Sequence, residues 1–507
     1  MAKYKDYDYS QDVLIPLCLE DQLKPGSLEF AIHTLVETRM DTSIFADRYS
    51  NDETGRLAYD PKILLKIVLF GYSQGLLSSR KLERACKKDV TFMALSCLQY
   101  PDHSTIASFV SSMKDEIVPL FSDVLLVCYE EGLLGGTFFA LDGLRVSSNA
   151  SLGGSGKISD FIKRKEKIEK RVRELLEAQK DEDKRDDGDD GDDNRPSGMS
   201  ERDKQIKKLQ KQADRIEGFL KENGPRIGKQ GREIQSNLTD NESCQMFSSH
   251  GAIQGYNGQA LVDKKHQVII HAEAFGEGQD HHLIPPMLDG AKENMAAIGQ
   301  GEDYFKGKIL TADSNYHDPT NLKKCEEEEV DAYIPDKRFR NRDKRFNPDR
   351  ERRRRRVGRF SLKDFVYSQD KDEYHCPNGK VLKLQTKKAV VDGVIYKRYG
   401  ADVEACQGCE LKLKCMMSVK VKGRTLNVPS GHVPGNLSKA MADKIDSDEG
   451  RKIYHQRIGI VEPVFANIGI QKRMNRFTLR SKIKVNIQWL LYCIVHNIGK
   501  ISAYGFT

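Results

Sequence analysis

Through the first 130 positions, apolar residues recur at helical spacing. Ile63, Leu64, Ile67, Val68 and Phe70 make one apolar stretch, and Leu82, Ala85, Phe92 and Leu95 carry it on. At His103-Ser104-Thr105 a hydroxyl can cap a helix running through Ile106, Phe109, Val110 and Met113. Short helices joined by tight turns suit a helix-turn-helix-like DNA reader, and a plain structural bundle suits the pattern equally.

From residue 135 the period changes. Gly135-Gly-Thr-Phe-Phe-Ala-Leu-Asp142 predicts a buried strand ending at Asp142. Gln259 to Asp263 and Gln267 to Phe275 flank the turn-like Asp263-Lys264-Lys265-His266 and predict a hairpin. Lys308 to Asp313 is a further short strand closed by an Asp, and Val330 to Pro335 another. Helical segments lie between and after these runs, so the elements sum to a mixed α/β sheet domain.

Two stretches interrupt that domain. In residues 151–245, Phe161, Ile168, Val172 and Leu175, then Ile206, Leu209, Ala213, Ile216 and Leu220, form a near-heptad pattern that predicts an antiparallel helical hairpin. Asp181 to Asp193, dense in Asp with two glycines, cannot bury apolar surface and is expected to be a disordered, solvated loop between the arms. The second stretch, residues 337–450, opens on Lys337, Arg338, Arg340, Arg342, Lys344, Arg345 and Arg352 to Arg356, then continues through strand-like pieces as a basic, β-rich insert. The expected organisation is a helical region over 1–130, a sheet core assembled from 131–150, 246–336 and 451–507, and the two inserts between.

The chain has 507 residues, enough for about three domains. Only 38% of residues are hydrophobic against 31% charged, so a soluble protein with extended polar regions is expected, and the net charge of +7 understates the basicity because the two signs are segregated. No apolar run approaches the roughly 18 residues of a membrane span. The start, MAKYKDYDYSQD, lacks the apolar core of a signal peptide, which predicts a cytoplasmic protein. Eleven cysteines, an odd number, then predict reduced thiols.

Candidate chemistry begins at the carboxy-terminal end. Residues 451–507 carry ten Lys or Arg and a single acid, Glu462. Such a stretch suits metal-dependent phosphoryl transfer: the cations hold a polyanionic backbone while the carboxylate holds a divalent metal. Asp142 and Asp313, each closing an apolar run, complete a candidate triad. Two strand-end carboxylates with a third across them can cage two Mg²⁺ ions, which accept a few carboxylates and keep water or phosphate oxygens as their other ligands. The plainer alternatives are an Asp-Gly turn at Asp142, a helix cap at Asp313 and a surface glutamate at Glu462.

Leu141-Asp-Gly-Leu-Arg-Val-Ser-Ser-Asn-Ala-Ser151 resembles the first catalytic-strand motif of insertion-sequence DDE transposases. Thr311-Ala-Asp-Ser-Asn-Tyr-His317 resembles the second, and Tyr454-His-Gln-Arg457 with Val461-Glu-Pro-Val-Phe465, Arg476-Phe477, Trp489 and His496-Asn497 the third. Gly71-Tyr72, Ser79-Arg80, Leu82-Glu83 and Asp102 to Ile106 are similar to the family's helical leader, and Gly255-Tyr256-Asn257 with Asp280-His281 to its hairpin region. The resemblance implies an RNase H-like core and a transposase that cleaves DNA at element ends and transfers strands into target DNA. It further implies Asp142, Asp313 and Glu462 holding two Mg²⁺ or Mn²⁺ ions, with Arg457, Lys472, Arg473, Arg476, Arg352, Arg353 and Arg354 as DNA contacts. Its partners would be terminal inverted repeats, target DNA and a second copy of the chain, in the cytoplasm with the nucleoid. Position 469 is Gly where the wider superfamily places a Lys, and Tyr454 with Arg457 lies one residue further upstream of the Glu than usual. The alternatives are a nuclease of the same fold that does not join strands and an inactive, transposase-derived DNA-binding protein.

Cys376, Cys406, Cys409 and Cys415 form C-x29-C-x2-C-x5-C, a set that can hold a structural Zn²⁺, with unligated thiols as the alternative. His281, His282 and His317 are candidates for contact with metal or phosphate, structural histidines being the commoner outcome.

Overall fold

The structure, a computed structural model, describes residues 18–48, 57–186, 201–228, 231–248, 251–343, 360–391, 394–416, 423–432 and 436–505. The chain opens with α1 (Leu28–Thr38), α2 (Pro61–Ser73), α3 (Ser79–Lys88), α4 (Val90–Leu95), α5 (His103–Ser111) and α6 (Ile117–Glu130). Asp60 caps α2 ahead of Pro61, whose fixed φ suits the first helical position. The cap of α5 is Asp102 rather than the expected hydroxyl. Its carboxylate accepts from the backbone N–H groups of Ser104 and Thr105, and an anion at a helix N-terminus also meets the positive end of the helix dipole.

The sheet region comprises β1 (Phe138–Ser147), β2 (Ser155–Gly156), α7 (Ile158–Asp186), α8 (Glu201–Glu222), β3 (Ser236–Asn237), β4 (Cys244–Ser248), β5 (Gly251–Asp263), β6 (Ile269–Phe275), α9 (Ile284–Ala297), β7 (Ile309–Ala312), α10 (Pro319–Glu327) and β8 (Asp331–Tyr333). Its main sheet runs β4-β5-β1-β7-β8, with β6 also on β5. The β1–β5, β4–β5 and β5–β6 pairs are antiparallel, and β1–β7 and β7–β8 are parallel. Strand β1 does not end at Asp142 as expected. It continues to Ser147 because β5 pairs with it along that whole length, from Phe139↔Asp263 to Ser147↔Gly255. What ends near Asp142 is the parallel partner: β7 reaches only Leu141↔Ala312.

Helices α7 and α8 pack antiparallel, Phe161 beside Ile216 and Phe219 at one end and Val172 and Leu175 beside Ile206 at the other. The expected acidic loop starts later than Asp181, since α7 continues to Asp186. Lys and Glu propagate a helix, and the first glycine of the stretch is Gly188. Residues 187–193 of that loop lie outside the described residues, as do Lys344, Arg345 and Arg352 to Arg356.

Beyond β8 come α11 (Phe339–Arg342), β9 (Val366–Ser368), β10 (Glu373–His375), β11 (Val381–Val391), β12 (Val394–Ala401), α12 (Val403–Gln407), α13 (Lys412–Cys415) and β13 (Thr425–His432). The strands form a second antiparallel sheet, β13-β12-β11-β10-β9, over a small core that includes Phe365, Tyr374, Leu382, Tyr399 and Leu426. The chain then returns through α14 (Leu437–Asp446), α15 (Asp448–Ala466) and α16 (Lys482–Tyr504).

Helix α16 is apolar nearly all round, which marks a helix buried on every side. It packs on β6, α1, α2 and α6, so the amino-terminal helices and the sheet share one apolar core and the helices of 1–130 have none of their own. Asn497 locks α16 to β6: its Oδ1 accepts from the Ile269 N–H at 2.9 Å and its Nδ2 donates to the Ile269 carbonyl at 2.8 Å. Trp489 Nε1 donates to the Gln259 carbonyl at 2.9 Å, its ring lying over Gly258, where a Cβ would stand about 3.0 Å from it.

Pro463 neither starts nor stops α15, which runs through it from Asp448 to Ala466. A proline leaves the carbonyl four residues earlier without its helical donor. Here that carbonyl belongs to Gly459, and Gln267 Nε2 supplies the missing bond at 3.0 Å.

Candidate active site

The pairing of β1 with β7 decides where the acids stand. Leu141 opposite Ala312 makes Asp142 and Asp313 neighbours at adjacent strands, whose separation in a sheet is about 4.8 Å. Asp142 Oδ1 accepts from the Gly143 N–H at 2.9 Å. Asp313 Oδ1 accepts from the Asn315 N–H at 2.8 Å and Oδ2 from Asn315 Nδ2 at 3.2 Å, so this residue also caps the short 3₁₀ turn Ser314–Tyr316. Burial pushes the Asp313 carboxyl up to about 6, the charges of Asp142 and Asp280 adding to it against the Asn315 N–H and Arg457. Burial likewise raises Asp142, with the Arg457 charge and the Gly143 N–H opposing.

Helix α15 crosses these strands. Arg457, Val461 and Val464 recur at helical spacing, and both valines are fully buried. That face carries Arg457 onto Asp142, its Nη1 2.6 Å from Oδ2. Glu462, one residue past Val461, is turned about 100° round the helix and is exposed. The structure therefore brings Asp142 and Asp313 together and leaves Glu462 on the outer side of the helix. Among the described residues, no three His, Cys, Asp or Glu side chains are arranged to hold a metal ion.

A third acid does reach the pair. Asp280 is buried, accepts from Asn257 Nδ2 at 2.7 Å and Gln259 Nε2 at 3.0 Å, and lies 3.8 Å from Arg145 Nη2. Tyr316 donates its hydroxyl to Gln259 Oε1, tying the turn after Asp313 to the same network. Asn257 Oδ1 is buried without a partner beside Gly143. No site role was expected of these residues, although Gln254, Asn257 and Gln259 are polar positions inside an otherwise apolar strand, an arrangement that calls for buried partners. Two carboxylates raised by burial and by the charge of Asp280, with an unpartnered oxygen nearby, form a donor set that a divalent cation would satisfy.

The other candidates are scattered. Lys472 is buried, with Nζ on Asn467 Oδ1 and the ammonium pulled down to about 8 by burial and by Lys500. Arg476 donates to the Ser148 carbonyl and Asn149 Oδ1 near the end of β1, and Arg473 is exposed. His317 bonds the Ile334 carbonyl and Ser438 Oγ, while His282 pairs with Asp318 at 3.0 Å. His281 Nδ1 is buried without a partner. In the second sheet, Cys406 is buried and Cys376, Cys409 and Cys415 half-buried, all free. Burial raises the Cys415 thiol, and the other three thiols are near enough to add to that rise. Lys380 N–H and Asn378 Nδ2 donate to Cys376 Sγ and Cys409 Sγ at 3.3 and 3.5 Å.

Half-buried aspartates beside the last parallel pair of β1 and β7, faced by an arginine from a crossing helix, suit an enzyme acting on a polyanion. Two family models match the chain, Transposase DDE domain over residues 375–502 and Transposase domain (DUF772) over residues 17–112. Both matches support an insertion-sequence DDE transposase. The DDE-domain match contains Arg457 and Glu462, while Asp142 and Asp313 precede it. Neither the curated proteins nor the solved structures give a match.

Proposed function

We propose that the protein cleaves DNA at the ends of a mobile element and joins the freed strands to target DNA, using Asp142 and Asp313 as metal ligands in an RNase H-like core. The observation that carries this reading is the β1–β7 register, which makes the two aspartates neighbours. The mixed order β6-β5-β1-β7-β8, antiparallel on one side of β1 and parallel on the other, supports the fold. Divalent cations, Mg²⁺ or Mn²⁺, when bound activate water and stabilise the leaving oxygen. The chain's own residues hold the acids in place: Gly143 N–H and Asn315 orient the two carboxylates, and Asp280 is fixed behind them by Asn257 and Gln259. Glu462 is the proposed third acid because α15 packs across β1 and β7 and lies within the DDE-domain match.

In this reading 1–130 serves DNA binding, 151–245 and 337–450 are inserts in the core, and partners are the terminal inverted repeats, target DNA and a second copy of the chain in the cytoplasm. Among the described residues no helix is long and apolar enough to cross a membrane. The test is a cleavage and strand-transfer assay on the native element ends. Asp142→Asn and Asp313→Asn should lose metal-dependent cutting and keep DNA binding, and cutting at the native rate by either variant removes that residue from the site. Comparing Glu462→Gln with Asp280→Asn decides which acid completes the set. For the four cysteines, the charge interactions of Cys376, Cys406 and Cys409 with Cys415 are what supports structural Zn²⁺. About one equivalent by elemental analysis is expected, and none returns them to unligated thiols.

A further inference from the structure

We infer that Arg457 occupies the place of the metal in the DNA-free protein, holding Asp142 until a DNA phosphate draws the guanidinium away. The inference rests on the proposed role of Asp142 as a metal ligand.

Both oxygens of Asp142 already have a donor, Gly143 N–H on Oδ1 and Arg457 Nη1 on Oδ2. The pair is largely shielded, with side-chain exposures of 12% for Arg457 and 25% for Asp142, so water does not screen it as it would a surface ion pair. A guanidinium and a divalent cation cannot share the same face of one carboxylate. A cation seated on the Oδ2 face that Arg457 holds must therefore displace the guanidinium.

The arginine is also incompletely satisfied where it stands: its Nε is buried and has no acceptor. A phosphate offers a guanidinium two parallel oxygen acceptors, so it can take Nε together with an Nη group. Other cations are engaged differently, Arg145 on the Phe247 carbonyl and 3.8 Å from Asp280, Lys472 on Asn467 and Arg476 on Ser148 and Asn149. Arg457 thus holds Asp142 while keeping a donor in reserve for an anion. DNA and metal would bind with positive coupling, and thermodynamic reciprocity makes each tighten the other.

The test is Mn²⁺ binding followed by electron paramagnetic resonance at pH 8, with and without a mixed-sequence DNA duplex. Arg457→Gln should bind Mn²⁺ about tenfold more tightly than the native chain in the absence of DNA. Duplex should tighten Mn²⁺ binding to the native chain and not to the variant. Arg457→Lys, which keeps a cation, guards against loss of fold and should resemble the native chain. Equal affinity of the native chain and Arg457→Gln, with Asp142→Asn losing the ion, overturns the role of Arg457 and leaves the site standing. Native affinity in Asp142→Asn overturns the site itself, and this inference with it.

Discussion

Asp313 is where sequence and environment pull in opposite directions. Its Asx contact to Asn315 is an ordinary cap, yet burial and two neighbouring acids lift its carboxyl to about 6 from 3.8. A carboxyl raised in the folded chain binds its proton more tightly there than in the unfolded chain. Its contribution to stability is full below the ordinary value and is lost as pH rises through about 6. With chelator present, melting of the native chain should therefore fall relative to Asp313→Asn as pH climbs from the ordinary carboxylate range to neutrality. A difference that grows in favour of the native chain would contradict the environment described for this residue. Asp142 and Asp313 could be picked out in the sequence because each closes an apolar run. Asp280 was quoted there only with Asn257 in the hairpin region, and its place near the two aspartates rests on bonds to Asn257 and Gln259 that the sequence does not show.

At the scale of elements, α15 and α16 are held by side chains that repair backbone gaps. Asn497→Ala leaves the Ile269 N–H and carbonyl buried without partners, and should cost about 1–3 kcal/mol for each group, read by urea unfolding. Little change in the midpoint would mean that α16 is held by apolar packing alone. Gln267→Ala should be milder, because Gly459 is exposed and its carbonyl can take water in place of Gln267. By itself a proline inside a helix disfavours helical geometry, and nothing local in the sequence points to the distant glutamine that restores the lost bond.

Across the whole molecule the cationic segment divides into inward and outward charges. Neutralising Arg473, Arg476 and Arg480 together should weaken binding to all DNA sequences and flatten the salt dependence by about 0.9 in slope per lost phosphate contact. Lys472→Met should leave that slope unchanged, because its ammonium is buried on Asn467. A slope that responds to Lys472 and not to the arginines would place the DNA path elsewhere. The excess of positive charge was legible from composition; which charges face outward was not, because that depends on how the turn after α15 packs against α16.

Local rules were enough to set the helices of the leader, the hairpin of β5 and β6, the long helical pair, and the two aspartates at the ends of apolar runs. Periodicity and turn chemistry act over a few residues, and the sequence carries them directly. Tertiary structure alone decided that β1 continues past Asp142, that β7 stops beside it, that Arg457 rather than Glu462 faces the acids, and that one core joins the leader to the sheet. Each of those outcomes depends on the register or rotation of one element against another, and a shift of one residue in either turns a side chain from the site to solvent.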